Sequence, residues 1–364
     1  MAAHRPTITD VARIAGVSKG AVSFALNGKP GVGAQTRERI LAVARDLGWT
    51  PSLRGRALSV SRSLAVGLVI ARSPEALGAD PFFVPFISGI ETVLSERGYA
   101  LMLQVASDEE SEHESYRQLA ASGRVDGVFL TDMRVGDVRP QLLNDLGLPT
   151  VVIGHADRPG PWSSVCIDDQ PGIVAAVEHL VALGHRRIDH VAGPAESMHG
   201  LSRRAAWASA VRDAGLAPGI CITSDFSAQG GADATNRLLD LADPPTAIVY
   251  ANDLMAMAGM STAIGRGLDI PGQLSITGFD DTALAAYLQP ALTTSRTDVV
   301  GWGRAAAIRL LAIVDGEVAA EIDLPAPEFV IRASTGPPRH QGTSAPGKGS
   351  IRAHRPIPLP RRTP

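Results

Sequence analysis

The chain has 364 residues and a formal net charge of −3 at pH 7, and hydrophobic residues make up 45% of it. This length suits two or three domains, and the apolar content is sufficient for a sizeable core. No apolar run approaches the roughly 20 residues that a membrane span needs, and the first residues contain no apolar signal segment. We therefore expect a cytoplasmic protein that makes no contact with a membrane.

The charges are distributed unevenly along the chain. Residues 1–62 carry ten Lys/Arg against three Asp/Glu, and residues 336–364 carry six Lys/Arg and no acidic residue. The segment between them has an excess of 16 acidic residues. A basic end on an acidic body is typical of a protein that contacts phosphate groups with one end only.

The spacing of apolar residues predicts three short helices at the N-terminus, over residues 8–15, 19–26 and 34–47. Gly16 suits the tight turn between the first two helices, and Ser18 suits the N-cap of the second. This arrangement indicates a helix-turn-helix. A small core is expected from the side chains at helical spacing: Val11, Ile14, Ala15, Val22, Leu26, Ile40, Val43, Ala44 and Leu47.

The second helix is short enough to enter the major groove of DNA. On it, Lys19 can reach guanine or a phosphate, Phe24 can contact a thymine methyl, and Gly20 permits close approach. The alternative is a helical bundle that binds another protein. Residues 16–20 also match the GxSxG motif of hydrolases, but that motif requires a strand before the serine, where we expect a helix. The sequence therefore favours DNA binding and predicts no enzyme.

Residues 51–62 are basic and serine-rich, which predicts a linker or a conditional helix. From Leu64 onward, short apolar runs alternate with amphipathic stretches in about nine or ten βα units. This pattern is typical of parallel sheets covered by helices, and it contains too many units for one sheet. We expect two sheets in two lobes, with a ligand at the carboxyl ends of the strands.

Residues 336–364 are rich in Pro, Gly and Arg, and we expect a disordered basic tail. The tail contains no heptad pattern and hence no tetramerising helix. It is either an inert extension or a source of non-specific DNA affinity. The two cysteines, Cys166 and Cys221, form no metal-binding spacing, so we expect reduced thiols, no metal and no cofactor.

The segments TITDVARIAGVSKGAVSFALNG, TRERILAVARDLGW and TPSLRGRALS resemble the head of the lac repressor (LacI) family of bacterial regulators. The resemblance extends to about Thr335. It implies an α/β protein with an all-α helix-turn-helix head over residues 1–50 and a hinge helix over residues 51–62. An effector-binding and dimerisation core over residues 63–335 would resemble two-lobed periplasmic sugar-binding proteins and contain two parallel sheets.

The resemblance also divides the core. It implies an N-lobe of residues 63–167 and 294–322, and a C-lobe of residues 168–293 and 323–335. Two subunits would pair as a homodimer on a near-palindromic double-stranded operator, and the hinge leucine would wedge into the minor groove. The implied DNA contacts are Thr9, Ser18, Lys19, Gly20, Ser23, Phe24, Asn27, Arg54, Arg56 and Leu58.

Three residues depart from the family pattern. Gly55 replaces a usual alanine and weakens the hinge helix by roughly 1 kcal/mol. Gly33 replaces a capping serine before the third helix, where glycine is tolerated. Phe24 replaces a polar residue that reads bases in many members, so the operator sequence of a relative does not transfer to this chain.

The same resemblance implies a small-molecule effector, most simply a sugar, between the lobes. His155 stands where many sugar-binding members carry an acid, and a nucleobase-like or phosphorylated ligand is an alternative. Transcriptional activation, control by a protein partner and sugar binding without DNA are the other functions considered. The implied effector contacts are Phe82, Thr131, His155, Ser197, Arg203, Phe226, Asn252 and Asp280, with Asp80 and Phe83 as further candidates.

Overall fold

The computed structural model describes residues 6–26, 30–49 and 62–338. The head consists of α1 (Ile8–Ala15), α2 (Lys19–Leu26) and α3 (Ala34–Asp46), close to the predicted limits. Thr7 and Asp10 form a capping box that starts α1. Gly16 ends α1 in the left-handed region, with φ of 65°, where a side chain would be strained.

The three head helices enclose a small apolar core. Val11, Val22 and Ile40 are fully buried in it, together with several alanines. The prediction for Ile14 was wrong, since its side chain is 50% exposed. α1 buries the face that carries Val11 and Ala15, and the smaller Ala12 takes the remaining inward position. Leu26, Val43 and Leu47 are only partly buried against this core.

The rest of the described chain alternates strands and helices, as predicted. In chain order the elements are β1 (Ala65–Ala71), α4 (Pro74–Ala79), α5 (Phe83–Arg97), β2 (Ala100–Ala106), α6 (Glu109–Ser122), β3 (Val128–Leu130), α7 (Arg139–Asp145), β4 (Thr150–Ile153), β5 (Ser163–Cys166), α8 (Gln170–Ala182), β6 (Ile188–Ala192), α9 (Met198–Asp213), β7 (Cys221–Thr223), α10 (Ala228–Leu239), β8 (Ala247–Tyr250), α11 (Asp253–Gly265), β9 (Ser275–Thr277), a 3-10 turn (Ala285–Tyr287), β10 (Thr294–Arg296), α12 (Val299–Val314), β11 (Glu321–Asp323) and β12 (Glu328–Val330).

The strands form two parallel sheets and one small antiparallel pair. The N-lobe sheet has six strands in the order β11-β5-β4-β3-β1-β2, and the C-lobe sheet has four in the order β7-β6-β8-β9. β10 and β12 pair with each other in antiparallel fashion. Helices on the faces bury the central strands from both sides, which is why these strands are continuous apolar runs instead of alternating patterns.

Two glycines bring α5 and α12 together in the N-lobe. A Cβ on Gly89 would lie 2.1 Å from the carbonyl oxygen of Val300, and a Cβ on Gly303 would lie 2.2 Å from that of Phe86. The backbones of the two helices therefore touch at positions where only glycine fits. This contact ties α12, which comes from late in the chain, to the first helices of the lobe.

The structure shifts the predicted lobe boundaries by a few residues. β10 was predicted in the N-lobe, but the Thr294 hydroxyl donates to Asp253 and the Ser295 hydroxyl donates to the Gly172 carbonyl, both of the C-lobe. Asp323 was predicted in the C-lobe, but it belongs to β11, which pairs with β5 of the N-lobe. Hydrophobic alternation shows that a strand exists but does not show which sheet it joins.

The predicted start of the basic tail was also too early. The Gly336 carbonyl accepts a hydrogen bond from the Ser275 hydroxyl, so this residue still packs on the C-lobe. Residues 339–364 of the predicted tail and residues 51–61 of the predicted hinge lie outside the described residues. In the part of the chain that is described, no helix has both the length and the apolar character needed to cross a bilayer.

Candidate functional site

A cavity of about 600 Å³ lies between the two lobes, and it is called the cleft below. It opens at the carboxyl ends of the parallel strands, where α/β sheets bind ligands. Seven of the eight predicted effector contacts line it: Phe82, Thr131, His155, Arg203, Phe226, Asn252 and Asp280. The N-lobe wall comprises Arg72, Asp80, Phe82, Thr131, Asp132, His155 and Trp302, and the C-lobe wall comprises Asp169, His199, Arg203, Phe226, Asn252 and Asp280.

The polar part of the N-lobe wall is built around Arg72, which directly follows β1. Its Nε and Nη2 donate to the two carboxylate oxygens of Asp132, at 3.0 and 2.7 Å, and its Nη1 donates to Asp80. Burial alone would raise the pKa of Asp132, but the Arg72 guanidinium lowers it below its usual value. At Asp80 burial outweighs the same arginine and raises the pKa. Both carboxylates are therefore paired with Arg72, a residue of the same wall.

The apolar part of the N-lobe wall is aromatic. The rings of Phe82 and Trp302 meet edge to face with centroids 5.7 Å apart, and Phe82 stacks on Phe86 at 5.1 Å. The Trp302 indole N–H donates to the Val165 carbonyl at 2.8 Å, which fixes the ring. Phe83, a further candidate from the sequence, is instead buried in the lobe core and does not line the cleft.

Arg203 is the centre of the C-lobe wall and is buried. Its Nε donates to Asp169 Oδ2 at 2.8 Å, and its Nη1 donates to the Ala251 carbonyl at 2.5 Å. The guanidinium carbon lies 3.8 Å from the centroid of the Phe279 ring. The arginine is therefore held on both sides and over one face, which leaves it little freedom to reorient.

Asp280 faces the cleft beside Arg203 without a close partner. Its Oδ1 lies 4.0 Å from Arg203 Nη1, beyond hydrogen-bond distance, and among the described residues its carboxylate accepts no hydrogen bond. Burial raises the pKa of Asp280 well above its usual value, against the opposing effect of Arg203. Its φ of 123° is strained for a residue with a side chain. A hydroxyl group of a ligand would supply the hydrogen bond that this carboxyl group lacks.

His199 and Phe226 form an aromatic pair on the C-lobe wall. Their rings are nearly parallel, with an angle of 11° and centroids 5.1 Å apart. Burial, together with the nearby Arg203, lowers the pKa of His199 to about 4, so its ring is neutral at neutral pH. A Cβ on Gly193 would lie 2.0 Å from the Phe226 ring, so the ring packs directly on this backbone.

Two predicted contacts have structural roles. Asn252 lines the cleft, but its Oδ1 caps α11 at the Met255 N–H and its Nδ2 donates to the Phe226 carbonyl. Ser197 does not line the cleft, contrary to the prediction. Its hydroxyl caps α9 by accepting from the Gly200 N–H at 3.2 Å and lies 3.0 Å from His199 Nδ1. It can act on the cleft only through His199.

The sequence missed several lining residues, and some of them carried a signal. Arg72 follows β1 directly and Asp169 follows β5 closely, at positions where polar residues face a cleft. His199 lies in a helix and Trp302 lies in α12, more than 200 residues after its neighbour Phe82. No local pattern marks these two residues, because only the fold brings them to the cleft.

The lobes touch each other at the rim of the cleft. The Val135 N–H donates to the Glu196 carbonyl at 2.9 Å, and the Met198 N–H donates to the Met133 carbonyl at 3.0 Å. These two bonds form a short antiparallel bridge between Arg134 of the N-lobe and Ser197 of the C-lobe. The rim contact therefore joins the two lobes beside the cleft.

The head presents the start of α2 to solvent. The Ser18 hydroxyl accepts from the Ala21 N–H at 3.1 Å, as predicted for a cap. Lys19 and Gly20 are exposed, and a Cβ on Gly20 would meet only Ser18 at 3.8 Å. A capped helix end with exposed backbone and a lysine suits an approach to phosphate groups.

The other predicted DNA contacts differ in accessibility. Thr9 is exposed and Ser23 is half-buried. The Phe24 ring is 44% exposed and also covers Gly31, on which a Cβ would lie 3.4 Å from the ring. Asn27, Arg54, Arg56 and Leu58 lie outside the described residues.

Comparisons with known proteins cover both parts of the chain. Residues 7–52 match the family of bacterial regulatory proteins, lacI family, and residues 177–335 match a periplasmic binding protein-like domain. The HTH-type transcriptional regulator CelR of Thermobifida fusca is 32% identical over 328 residues, which cover 88% of this chain and 95% of CelR.

Two solved structures are similar to this chain over most of its length. A transcriptional regulator CelR–cellobiose complex has 30% identity and a TM-score of 0.71, over 91% of this chain and 100% of that chain. A lac repressor dimer bound to operator and the anti-inducer ONPF has 27% identity and a TM-score of 0.78, over 91% and 99%. These matches confirm the predicted resemblance and the predicted fold class.

Proposed function

This chain belongs to the lacI family of bacterial regulatory proteins and is a helix-turn-helix regulator of transcription, not an enzyme; from this premise we propose that it is a repressor controlled by a neutral sugar bound in the cleft. We propose that it acts in the cytoplasm, where it has access to DNA. The observation that carries the proposal is the cleft itself, because its lining combines carboxylates, held arginines and aromatic rings.

The charges of the cleft favour an uncharged ligand. Six aspartates line it, against the two arginines Arg72 and Arg203, and both arginines are already paired with carboxylates. A phosphate or carboxylate group would meet this excess of acid, and the two lining arginines are engaged with carboxylates of the protein. Neutral hydroxyl groups, in contrast, can donate to carboxylates such as Asp280 and accept from N–H groups. The charges of the cleft therefore favour a neutral sugar over a phosphorylated ligand.

The aromatic residues favour a ligand with an apolar face. Phe82 and Trp302 on the N-lobe wall and Phe226 on the C-lobe wall offer ring surfaces, and sugar rings present C–H faces that pack on them. We propose that Arg203 and Asp280 bind hydroxyl groups of the ligand, with Thr131 and Asn252 beside them. The His155 side chain contacts a protein group in addition to lining the cleft, since its Nδ1 lies 3.2 Å from Glu321 Oε1.

In the DNA complex, α2 would occupy the major groove. Ser18, Lys19, Gly20 and Phe24 would then face the bases and phosphates, with Thr9 and Ser23 beside them. By resemblance, Asn27 would contribute from the end of α2, and Arg54, Arg56 and Leu58 would contact the minor groove from a hinge over residues 51–62. The basic excess of residues 1–62 supports this orientation of the head toward phosphates.

We propose a homodimer, which would match a near-palindromic operator. The 3-10 turn after β9 and the residue before it support an interface, since Tyr287 is 82% exposed and Leu284 is 65% exposed. Exposed aromatic side chains are common at subunit contacts. Residues 63–335 would thus provide both the effector site and the dimer contact.

Selection of bound duplexes from random DNA tests the regulatory function. We expect a near-palindromic consensus, bound by a dimer in sedimentation experiments, with an affinity that falls steeply as salt rises. The head variant Lys19→Ala should weaken binding, whereas Arg117→Ala on the exposed face of α6 should not. Binding that does not depend on sequence or salt would refute the proposal.

Calorimetric titration with a panel of neutral and phosphorylated sugars tests the effector class. We expect a neutral sugar to bind and its phosphate ester to bind at least about tenfold more weakly, which is about 1.4 kcal/mol. Asp280→Ala should abolish or greatly weaken binding, and Asp213→Ala on the exposed end of α9 should leave it unchanged. Tighter binding of the phosphorylated sugar would contradict the charge argument.

A further inference from the structure

Three potential metal ligands meet at the edge of the N-lobe sheet. His155 follows β4, Cys166 ends β5 and Glu321 begins β11, and these three strands are neighbours in the sheet. His155 Nδ1 lies 3.2 Å from Glu321 Oε1, and Cys166 Sγ lies 3.5 Å from the same oxygen. All three ligand atoms lie within 4.8 Å of one another. Three adjacent parallel strands therefore bring nitrogen, sulfur and oxygen to one point.

These distances fit a tetrahedral cation. Ligands at the usual zinc distances of about 2.0–2.3 Å are separated by about 3.3–3.6 Å from one another in a tetrahedron. The two separations of 3.2 and 3.5 Å in this cluster are close to those values. The strand register that sets them is continuous, since Cys166 pairs with Asp323 and Glu321 pairs with Ser164. The third pair, His155 Nδ1 and Cys166 Sγ, lies within 4.8 Å, so side-chain rotation has to bring these two atoms closer when all three ligands surround one ion.

The chemistry of the three ligands selects the class of ion. Imidazole, thiolate and carboxylate together suit zinc and similar divalent transition metals, whereas magnesium and calcium prefer oxygen ligands only. The side chains of His155 and Glu321 are 51% and 58% exposed, so an ion has access from solvent. Cys166 is buried beneath them and would form the inner end of the site.

We propose that His155, Cys166 and Glu321 bind one zinc-type divalent cation on the N-lobe side of the cleft. His155 lines the cleft, so the fourth coordination position would face it and hold water or a ligand atom. A structural zinc site usually has four protein ligands, and three ligands with an open position are typical of an exchangeable site. The ion would then join two parts of the lobe, the β4–β5 edge and the late strand β11.

Binding replaces protons in the cluster. The Cys166 Sγ–H donates to Glu321 Oε1, so the thiol holds a proton in the arrangement described. Coordination exchanges this proton for the metal, and the proton passes to solvent. The thiolate and the carboxylate together carry two negative charges, which a divalent cation neutralises.

The sequence expectation of no metal rested on spacing along the chain. Metal sites with short spacing, such as CxxC, can be recognised from sequence. Here Cys166 and Glu321 are 155 residues apart, and His155 and Glu321 are 166 residues apart. Only the return of the chain as β11 brings them together, so spacing carries no information about this cluster.

Cobalt spectroscopy on the untagged full-length protein tests the site. Titration of the metal-free protein with CoCl₂ should give a thiolate-to-cobalt charge-transfer band and the intense visible bands of a four-coordinate ion, saturating at one ion per chain. ZnCl₂ should abolish these bands by displacing cobalt, since zinc binds such sites tightly. Absence of the charge-transfer band would overturn the proposal and leave His155 and Glu321 as a hydrogen-bonded pair only.

Matched variants locate the ion. Cys166→Ser should remove the charge-transfer band, and Cys221→Ser, at the other free cysteine, should keep it. His155→Gln and Glu321→Gln change exposed side chains and should preserve the fold. Each should weaken zinc binding by roughly 100-fold or more, since even partners that only orient ligands contribute about 10- to 100-fold. A band that survives in Cys166→Ser, or unchanged affinity in both exposed variants, would contradict this site.

Discussion

The two walls of the cleft each hold one arginine beside carboxylates, but they differ in how completely the charges are paired. On the N-lobe wall, Arg72 donates to both oxygens of Asp132 and also to Asp80. On the C-lobe wall, Arg203 is bound by Asp169 and a carbonyl, and Asp280 is left 4.0 Å away. The N-lobe wall is complete by itself, whereas the C-lobe wall has a carboxyl group available for a ligand.

This difference predicts which wall contributes more polar binding energy to the ligand. Paired groups gain little from a new partner, because a ligand must replace bonds that already exist. An unpaired carboxyl group that lines the cleft can form a hydrogen bond to a ligand without giving up one to the protein. We therefore expect the C-lobe wall to provide most of the polar binding energy, and the N-lobe wall to provide ring surface and shape.

Removal of the two arginines should have the largest effect. Arg203→Met leaves the buried Asp169 unpaired and should lower the free energy of unfolding by about 3–5 kcal/mol. Arg72→Met leaves Asp80 and Asp132, which water can still reach, and should cost only about 1–3 kcal/mol. Chemical unfolding of both variants measures the difference. A larger loss of unfolding free energy for Arg72→Met than for Arg203→Met would contradict the prediction that the C-lobe arginine contributes more to stability.

The two aspartates should respond to pH with opposite signs. The pKa of Asp280 is raised, so its ionisation destabilises the fold as pH increases, and Asp280→Asn should be more stable than the natural protein at about pH 8. The pKa of Asp132 is lowered, so its charge stabilises the fold, and Asp132→Asn should be less stable at the same pH.

The two differences should shrink in different pH ranges: that of Asp280 as the pH falls from its raised pKa toward about 4, and that of Asp132 only below about 4, where the carboxyl groups of the unfolded chain become protonated. For Asp280, the stability advantage of Asp280→Asn begins to shrink once the folded protein holds the proton, and it disappears where the unfolded chain is protonated as well. For Asp132 the loss diminishes as pH falls through its lowered pKa. Thermal melting of the three proteins across this range provides the measurement. The same sign for both variants at high pH would show that the walls do not differ in charge pairing.

Displacement of the Phe226 ring should have the smallest effect. The Cβ of Gly193→Ala would lie 2.0 Å from this ring, so the ring must move and its stacking on His199 is lost. We expect sugar affinity to fall about 3- to 10-fold, the value of one aromatic contact. Gly78→Ala in α4 is the control, since its Cβ would meet no atom within 4 Å. Equal sugar affinities for the two variants would show that Phe226 does not contribute to sugar binding.

The sequence predicted the fold well where patterns are local. The head helices follow from apolar spacing and from the turn at Gly16, and α1 and α2 have the predicted limits. β10 was placed in the wrong lobe, because its side chains face Gly172 and Asp253, which are distant in the chain. Strand pairing between distant segments depends on the whole fold, which a local pattern does not contain.

The candidate site shows the same limit. Thr131, His155 and Asn252 lie within two residues of the ends of strands, and a resemblance in sequence pointed to them correctly as lining residues. The charge pairing of Arg72 was not predictable, since it joins the end of β1 to Asp132 after β3. The raised pKa of Asp280 also depends on burial between two lobes, which a sequence pattern does not report.

The most direct test of ligand-controlled DNA binding uses the selected operator in a fluorescence anisotropy titration, with and without a saturating sugar that calorimetry has shown to bind. We predict a change in operator affinity of about 5- to 150-fold, the usual range of coupling between two sites. Asp280→Ala should bind the operator normally without sugar and should show no change when the same sugar is added. The same change in Asp280→Ala, or no change in the natural protein, would contradict control through the cleft.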